Sequence, residues 1–268
     1  PEPKKAEPRV TTLPLELSEG EHVMLIGNTL LDYAQFEGFF ETLLQQRFPG
    51  KKLVVRTLAW SADEVDLQPR PDAFGSLNQH LSVQKADVIL ALWGYNESFD
   101  NSPDAYRADL TKWIDETNGK KYNDKGAPTI VLFSPIAHEN LGQANLPDGS
   151  ANNERLAKYA EVTRQVANEK GVEFVDLFDL SQDLYERSKL PLTINGIHLT
   201  SKGNNQLARG IHKSLFGKSP RASGRKLARI RDAVLDKNWH WYNRYRATDS
   251  NDVWGGRSGL RSPAGQTN

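Results

Sequence analysis

The chain of 268 residues carries 34 Lys and Arg against 34 Asp and Glu, with 38% hydrophobic and 25% charged residues. These values are typical of a globular protein and allow one large α/β domain with extensions. Zero net charge gives no general attraction to nucleic acid or anionic lipid. The absence of cysteine excludes disulfides, thiolate metal sites and a cysteine nucleophile. No segment has the length of a membrane span or resembles a signal-peptide core.

The first 20 residues are rich in Pro, Glu and Lys. This composition predicts a flexible lead-in that becomes ordered near Val10. The chain starts at Pro1 without an initiator methionine and ends at Asn268 in a polar stretch. We therefore expect a fragment that is joined to other domains in a longer protein.

Five short apolar runs follow the lead-in, and most of their residues are β-branched, aliphatic or aromatic. Such runs are typical of strands that are buried on both faces of a parallel sheet. The runs are Val23–Ile26, Leu53–Leu58, Val88–Trp93, Ile130–Phe133 and Phe174–Phe178.

The segments between the runs have the apolar spacing of helices. One face of a first predicted helix carries six apolar residues, which are Phe36, Phe39, Phe40, Leu43, Leu44 and Phe48. A second helix opens near Asn152, and a third spans about 201–216 and ends at Gly217. This alternation predicts right-handed βαβ crossovers and a three-layer α/β/α sandwich around a five-stranded parallel sheet.

The sequence changes character at about residue 218. Basic residues surround an apolar stripe that contains Leu227, Ile230 and Val234, and four aromatic residues follow between Trp239 and Tyr245. This pattern favours an appended amphipathic helix packed on the domain or on a neighbour. A nucleic-acid or membrane surface is the alternative, and it requires a solvated basic face. We expect the rest of the 218–268 segment to be an irregular tail.

Polar residues follow the predicted strands, where ligands gather in an open parallel sheet. The blocks are Gly27-Asn28-Thr29-Leu30, Trp60-Ser61-Ala62-Asp63-Glu64, Gly94-Tyr95-Asn96-Glu97, Ser134-Pro135-Ile136-Ala137-His138-Glu139-Asn140 and Asn195-Gly196-Ile197-His198. In their order and spacing, the first, second, third and last blocks resemble those of the SGNH (GDSL-like) hydrolase family. The resemblance covers about residues 21–217 and implies a domain of SGNH or flavodoxin-like fold.

The resemblance also implies roles for single residues. Thr29 stands where the family has its serine nucleophile, and His198 stands where it has the catalytic base. Asn195 takes the place of the aspartate that orients this base. Ala62 and Asn96 occupy the positions of the oxyanion-hole glycine and asparagine. In acyl transfer the hydroxyl loses its proton to the imidazole while preorganised donors stabilise the oxyanion.

Three departures from the family pattern affect the expected chemistry. Thr29 is a β-branched alcohol with a restricted χ1 angle, and Asn28 replaces the aspartate beside the nucleophile. Asn195 lacks the charge that stabilises an imidazolium. In a serine-protease triad, replacement of the aspartate by asparagine lowers kcat by about 10⁴, mainly because the histidine adopts the wrong tautomer. We therefore expect slower ester hydrolysis than a complete triad gives.

Other residues near the strand ends are candidates for substrate contact. Asp63, Glu97, His138 and Glu139 are suited to general acid/base chemistry on a sugar. The alternative for Asp63 and Glu97 is helix capping or ion pairing. Trp60 and Tyr95 are candidates for sugar-ring stacking, whereas Trp93 is explained equally well by core packing. No spacing of His, Asp and Glu suggests a metal triad, and we expect no cofactor.

The first hypothesis for function is a carbohydrate esterase that removes a group such as acetyl. The resemblance supplies this substrate class, because similar domains with a Gly-Asn-Thr-Leu block occur in large secreted bacterial proteins in polysaccharide-degrading settings. It also implies a secreted or periplasmic location and a carbohydrate or esterified small molecule as the partner. The alternatives are a catalytically silent carbohydrate-binding or scaffold module, and a glycosidase or lyase that uses the carboxylates of the same crevice.

Overall fold

The computed structural model describes residues 2–71, 74–100, 102–218 and 224–246. Its main sheet has five parallel strands, which are β2 His22–Gly27, β3 Val54–Thr57, β4 Val88–Leu92, β6 Thr129–Phe133 and β7 Glu173–Val175. Their spatial order in the sheet is β3-β2-β4-β6-β7. Two further short strands, β1 Lys4–Lys5 and β5 Lys120–Lys121, form an antiparallel pair. The five-stranded parallel sheet predicted from the apolar runs is confirmed.

Eight helices flank the sheet in the described part of the chain. They are α1 Thr29–Glu37, α2 Phe39–Arg47, α3 Leu77–Val83, α4 Pro103–Asn118, α5 Ser150–Lys170, α6 Leu177–Arg187, α7 Ser201–Phe216 and α8 Arg225–Arg246, and a 3₁₀ turn spans Glu97–Phe99.

Alternate residues of each strand enter cores on opposite faces of the sheet. Leu25 packs among residues of α1, α2 and α7, whereas Met24 packs among residues of α3, α4 and α5. Side chains along a strand point alternately to the two faces, and here both faces are covered by helices. This arrangement is the predicted three-layer sandwich.

Two predicted elements have different bounds in the structure. The single helix expected over Phe36 to Phe48 is divided at Gly38, which adopts φ +66° and donates its N–H to the Ala34 carbonyl. A left-handed glycine ends a helix readily, and as a result Phe36 is exposed instead of buried. The fifth strand ends at Val175, because Asp176 caps α6 by accepting the Asp179 N–H at 3.0 Å.

The C-terminal helix α8 covers the edge strand β3. Three donors one helical turn apart reach carbonyl oxygens of this edge: Lys237 Nζ to Val55 at 2.9 Å, Trp241 Nε1 to Thr57 at 2.7 Å, and Tyr245 Oη to Leu58 at 3.1 Å. An uncovered edge strand exposes unpaired backbone groups, and α8 satisfies them here. The amphipathic helix predicted to pack on the domain is confirmed. The predicted irregular tail over 247–268 lies outside the described residues.

The segment 2–20, whose composition predicts a flexible lead-in, contacts the domain at several points. The β1–β5 pair anchors its start, Leu15 donates its N–H to the Leu215 carbonyl at 2.8 Å, and Leu15 and Leu17 are buried. Of the helices that the structure describes, none combines the length and the apolar character that a membrane span requires.

Candidate active site

A tight turn after β2 places Thr29 at the start of α1. Gly27 adopts φ +127°, and a Cβ there would lie 1.9 Å from the Leu92 carbonyl oxygen, so only glycine fits. Asn28 donates its N–H to the same Leu92 oxygen at 3.2 Å, and its side-chain oxygen caps α1 by accepting the Leu30 N–H. Thr29 is therefore held at the carboxyl end of the sheet with its N–H at a helix N-terminus.

The loop after β3 brings Ala62 to Thr29. The Ala62 N–H lies 3.3 Å from Thr29 Oγ1 and donates to it. Ala62 adopts φ +67°, a left-handed conformation that costs a residue with a Cβ about 1–2 kcal/mol. This conformation explains the glycine that the family has at this position. The backbone donor at residue 62 lies beside the hydroxyl despite the change to alanine.

A short hairpin before α7 carries Asn195 and His198. Residues Thr193 and Leu199 form a β-bridge, and the Ile194 N–H donates to the His198 carbonyl at 2.8 Å. At the tip, Asn195 Oδ1 accepts the N–H groups of Ile197 at 3.3 Å and His198 at 3.0 Å. The same oxygen lies 3.2 Å from His198 Nδ1.

These contacts determine the tautomer of His198. Two backbone donors fix which end of the Asn195 amide faces the ring, because the NH₂ group would oppose both N–H groups. The amide oxygen therefore faces Nδ1, and Nδ1 carries the proton. This tautomer has its free lone pair on Nε2, which is the arrangement that a general base requires.

Thr29 and His198 line one cavity of about 490 Å³ at the carboxyl ends of the strands, together with Tyr95. The other lining residues come from the same loops and from α1 and α7: Asn28, Leu30, Tyr33, Phe36, Glu37, Leu92, Pro135, Ile136, Ile194, Ile197, Leu199, Thr200, Ser201 and Asn204. The structure thus brings three of the residues singled out from sequence to a common space.

Asn96 lies outside the lining of this cavity and connects the loops after β3 and β4. Its side-chain Nδ2 donates to the Asp63 carbonyl at 3.2 Å, which ties the loop after β4 to the loop that carries Ala62. An amide nitrogen has two N–H groups, and this bond uses one of them.

Asp63 and Glu97 do not line the cavity, and their carboxylates have protein partners. Asp63 accepts from both terminal nitrogens of Arg70, at 2.7 and 2.5 Å. Burial raises the pKa of Asp63, and the Arg70 guanidinium opposes that rise. Glu97 accepts the N–H groups of Gly94 at 2.8 Å and Val65 at 3.1 Å, and burial raises its pKa to about 7. The Glu97 carboxylate thus holds the backbone of two loops near the site, whereas the Asp63 carboxylate is held in an ion pair with Arg70.

His138 and Glu139 also lie outside the cavity, and both contact the hairpin that carries Asn195 and His198. The Glu139 carboxylate accepts the N–H groups of Leu192 at 3.0 Å and Thr193 at 2.7 Å, and the Thr193 hydroxyl at 2.7 Å. The Glu139 N–H donates to the Gly196 carbonyl at 2.8 Å. His138 is buried against Gly196, where a Cβ would lie 2.1 Å from His138 Nε2, and burial lowers its pKa.

The tryptophans near the strand ends do not expose faces to the cavity. Trp60 has Arg246 and Arg70 at 3.5 and 4.4 Å from its ring centroid. Trp93 is buried and packs edge-on against Trp113, which supports the core-packing interpretation.

Sequence reasoning missed an ionic network behind the Ala62 loop. The carboxylate of Asp32, in the first turn of α1, accepts the N–H of Ser61 at 3.0 Å and its hydroxyl at 2.7 Å. Arg246 of α8 donates to the other Asp32 oxygen at 2.8 Å. The available signal was an acidic residue one turn after Thr29 and an arginine one residue after Tyr245.

The described ranges contain no group of three His, Asp or Glu side chains that is arranged to hold a metal ion. A parallel α/β/α sandwich that brings a hydroxyl and an imidazole to one cavity at its strand ends is consistent with an SGNH-type hydrolase.

The model of the GDSL-like lipase/acylhydrolase family matches residues 26–206. This match extends from the end of β2 into α7 and spans more than half of the sequence. The chain belongs to this family. Among curated proteins, no sequence matches the chain significantly.

Solved structures show the same fold. Axe2, an acetylxylan esterase from Geobacillus stearothermophilus, is 20% identical, covers 75% of this chain and 96% of its own, and has a TM-score of 0.58. A catalytic mutant of Axe2 is 19% identical over 79% of this chain and 100% of its own, with a TM-score of 0.61. LAE5, an α/β hydrolase from the metagenome of Lake Arreo in Spain, is 18% identical over 73% and 94%, with a TM-score of 0.57.

Proposed function

We propose that the protein hydrolyses ester bonds on carbohydrate, removing acetyl groups, with Thr29 as the nucleophile and His198 as the general base. The observation that carries this proposal is the position of the Asn195 amide oxygen, 3.2 Å from His198 Nδ1 and fixed by two backbone N–H groups. An asparagine that presents its NH₂ group would hold the wrong tautomer. Asn195 presents its oxygen, so the altered triad retains a base with a free Nε2 lone pair.

In the first half of the reaction, His198 Nε2 takes the hydroxyl proton of Thr29 as Oγ1 attacks the ester carbonyl carbon. The N–H groups of Thr29 and Ala62 and the amide of Asn96 stabilise the oxyanion. The tetrahedral intermediate then collapses, and the sugar oxygen leaves with the proton from His198. The product of this half is an acetyl ester on Thr29.

In the second half, His198 takes a proton from water, whose oxygen attacks the acetyl carbonyl. Collapse releases acetic acid and returns the proton to Thr29 Oγ1. Asn195 orients the His198 ring, but because it is neutral it does not stabilise the charge of the imidazolium that forms in both halves. We therefore expect a lower kcat than a triad with aspartate gives.

The carboxylates required by a glycosidase have other partners. Asp63 is bound to Arg70, Glu97 to backbone N–H groups of two loops, and Glu139 to the hairpin. This observation favours ester hydrolysis over glycosidic cleavage.

Steady-state assays with acetylated xylo-oligosaccharide and an aryl acetate test the proposal. Thr29→Ala and His198→Ala are expected to lower kcat by about 10³-fold or more. Thr111→Ala on α4 and His240→Ala on the exposed side of α8 serve as matched controls. Ester turnover that survives Thr29→Ala would overturn the proposal, and oligosaccharide binding without any turnover would indicate a binding module.

A further inference from the structure

Two aromatic side chains of α1 line the catalytic cavity with their rings exposed. Tyr33 is 55% exposed and Phe36 is 50% exposed, and both belong to the cavity wall that also contains Thr29 and His198. Their ring centroids are 5.9 Å apart. Large apolar side chains that remain exposed along a cleft indicate a binding surface.

Tyr33 lies on the side of the cavity from which the leaving group departs. Its ring centroid is 6.4 Å from that of His198. The histidine that takes the nucleophile's proton returns it to the leaving oxygen, so the leaving alcohol must lie beside His198. We propose that Tyr33 and Phe36 form the subsite for the leaving sugar, an inference that rests on the proposed ester hydrolysis.

The surroundings of this pair fit a sugar better than a fatty chain. A pyranose ring has apolar C–H faces, which stack on aromatic rings, and a rim of hydroxyl groups that need polar partners. Glu37 and Ser201 line the same end of the cavity, and the Ser201 hydroxyl donates to Glu37 Oε2 at 2.8 Å. Arg231 donates to the same carboxylate oxygen at 3.1 Å. Rings and hydrogen-bonding groups are thus adjacent, as a carbohydrate requires.

The C-terminal helix extends this surface. The Tyr242 ring of α8 lies with its centroid 5.1 Å from that of Phe36. Tyr33, Phe36 and Tyr242 therefore form a row of three rings in which each ring contacts the next. A row of three rings favours an oligosaccharide over a single sugar, so the subsite extends over more than one sugar unit.

Isothermal titration calorimetry of the whole chain tests the subsite without requiring turnover. The probes are neutral β-linked hexasaccharides of xylose, glucose and mannose, without ester groups. Tyr33→Ala and Tyr242→Ala are expected to raise the Kd of the bound probe by about 3- to 10-fold, which corresponds to the loss of one aromatic contact. Tyr33→Phe keeps the ring and is expected to restore most of the affinity. Trp239→Ala removes a ring of α8 that is 44% exposed and lies outside the cavity lining, and it should leave Kd within about twofold.

Kinetics on the acetylated form of the bound probe provide a second measurement. If the wild type turns over this ester, the loss in Tyr33→Ala should reside in KM, because the ring holds the leaving group and takes no part in proton transfer. Binding of none of the probes, or unchanged affinity in Tyr33→Ala, overturns the subsite. Probe binding that depends on Tyr33, in a protein that cleaves no ester, supports the subsite and refutes the proposed ester hydrolysis.

Discussion

Arg246, at the end of the C-terminal helix, donates a hydrogen bond of 2.8 Å to Asp32, in the first turn of α1. The other Asp32 oxygen holds Ser61, the residue before Ala62. Arg246 also donates to the Ala59 carbonyl at 3.0 Å. Helix α8 thus supports, through one carboxylate, the loop that carries the backbone donor nearest Thr29.

Replacing Arg246 with methionine is expected to lower kcat by about 10-fold with little change in KM, because a donor to the oxyanion acts mainly in the transition state. Steady-state kinetics measure this effect. Arg244→Met, at an exposed position two residues earlier, is the control. Removing one partner of a buried pair also destabilises a protein. The double variant Arg246→Met/Asp32→Asn removes both charges. Comparing it with Arg246→Met therefore separates the effect of an unpaired buried charge from the loss of the support. Activity of Arg246→Met equal to that of Arg244→Met would refute this role.

Glu139→Gln is expected to lower kcat by about 10- to 100-fold, because an amide nitrogen would oppose one of the N–H donors of Leu192 and Thr193 and displace the hairpin that holds His198. The comparison is with Glu186→Gln, an exposed residue of α6. A hairpin displacement should also alter the His198 ring resonances in an NMR spectrum. If kcat and these resonances are both unchanged, Glu139 does not position the base.

Asn195→Asp is expected to increase the plateau value of kcat and to move the acidic limb of the pH–rate profile to higher pH. A carboxylate beside the ring favours its protonated form, which stabilises the imidazolium of the transition state. The same charge makes the neutral base available only at higher pH. We expect a gain of about 10-fold, well below the 10⁴ factor of a serine-protease triad, because the tautomer is already correct. An unchanged profile would indicate that His198 is not the base.

The carboxyl group of Glu97 should make the stability of the fold depend on pH. Burial raises its pKa from the ordinary 4.5 to about 7, so the folded state binds this proton more tightly than the unfolded state. The resulting stability is present in full below about pH 4.5 and is lost as pH rises through 7, by roughly 3 kcal/mol in the free energy of unfolding. Urea unfolding of Glu97→Gln between pH 5 and 8 should show a flatter dependence than wild type. The exposed Glu154→Gln should keep the wild-type slope, and an equal slope in both variants would contradict the assignment.

The sheet and its layers were predictable because strands buried on both faces give uninterrupted apolar runs. The prediction failed where a single backbone position decides the outcome. Gly38 lies within an apolar pattern that continues from Phe36 to Phe48, and periodicity does not reveal that the glycine adopts a left-handed φ. The exposure of Phe36 follows from that break.

The positions of Thr29 and His198 at one cavity were predictable from the block order and from the rule that strand ends collect functional groups. The contacts of Glu139 and Asp63 were not predictable, because a carboxylate after a strand has the same sequence signature whether it faces substrate or backbone N–H groups. The pairing of Arg246 with Asp32 was also hidden, since it joins the two ends of the chain through tertiary packing.

Covalent trapping is the most direct test of Thr29 as the nucleophile. An alkyl fluorophosphonate transfers its phosphonyl group to an activated hydroxyl and releases fluoride. Mass spectrometry of the digested protein is expected to show the phosphonyl group on the peptide that contains Thr29, with labelling lost in Thr29→Ala and slowed strongly in His198→Ala. Ester turnover by a protein whose Thr29 peptide stays unlabelled would contradict the account.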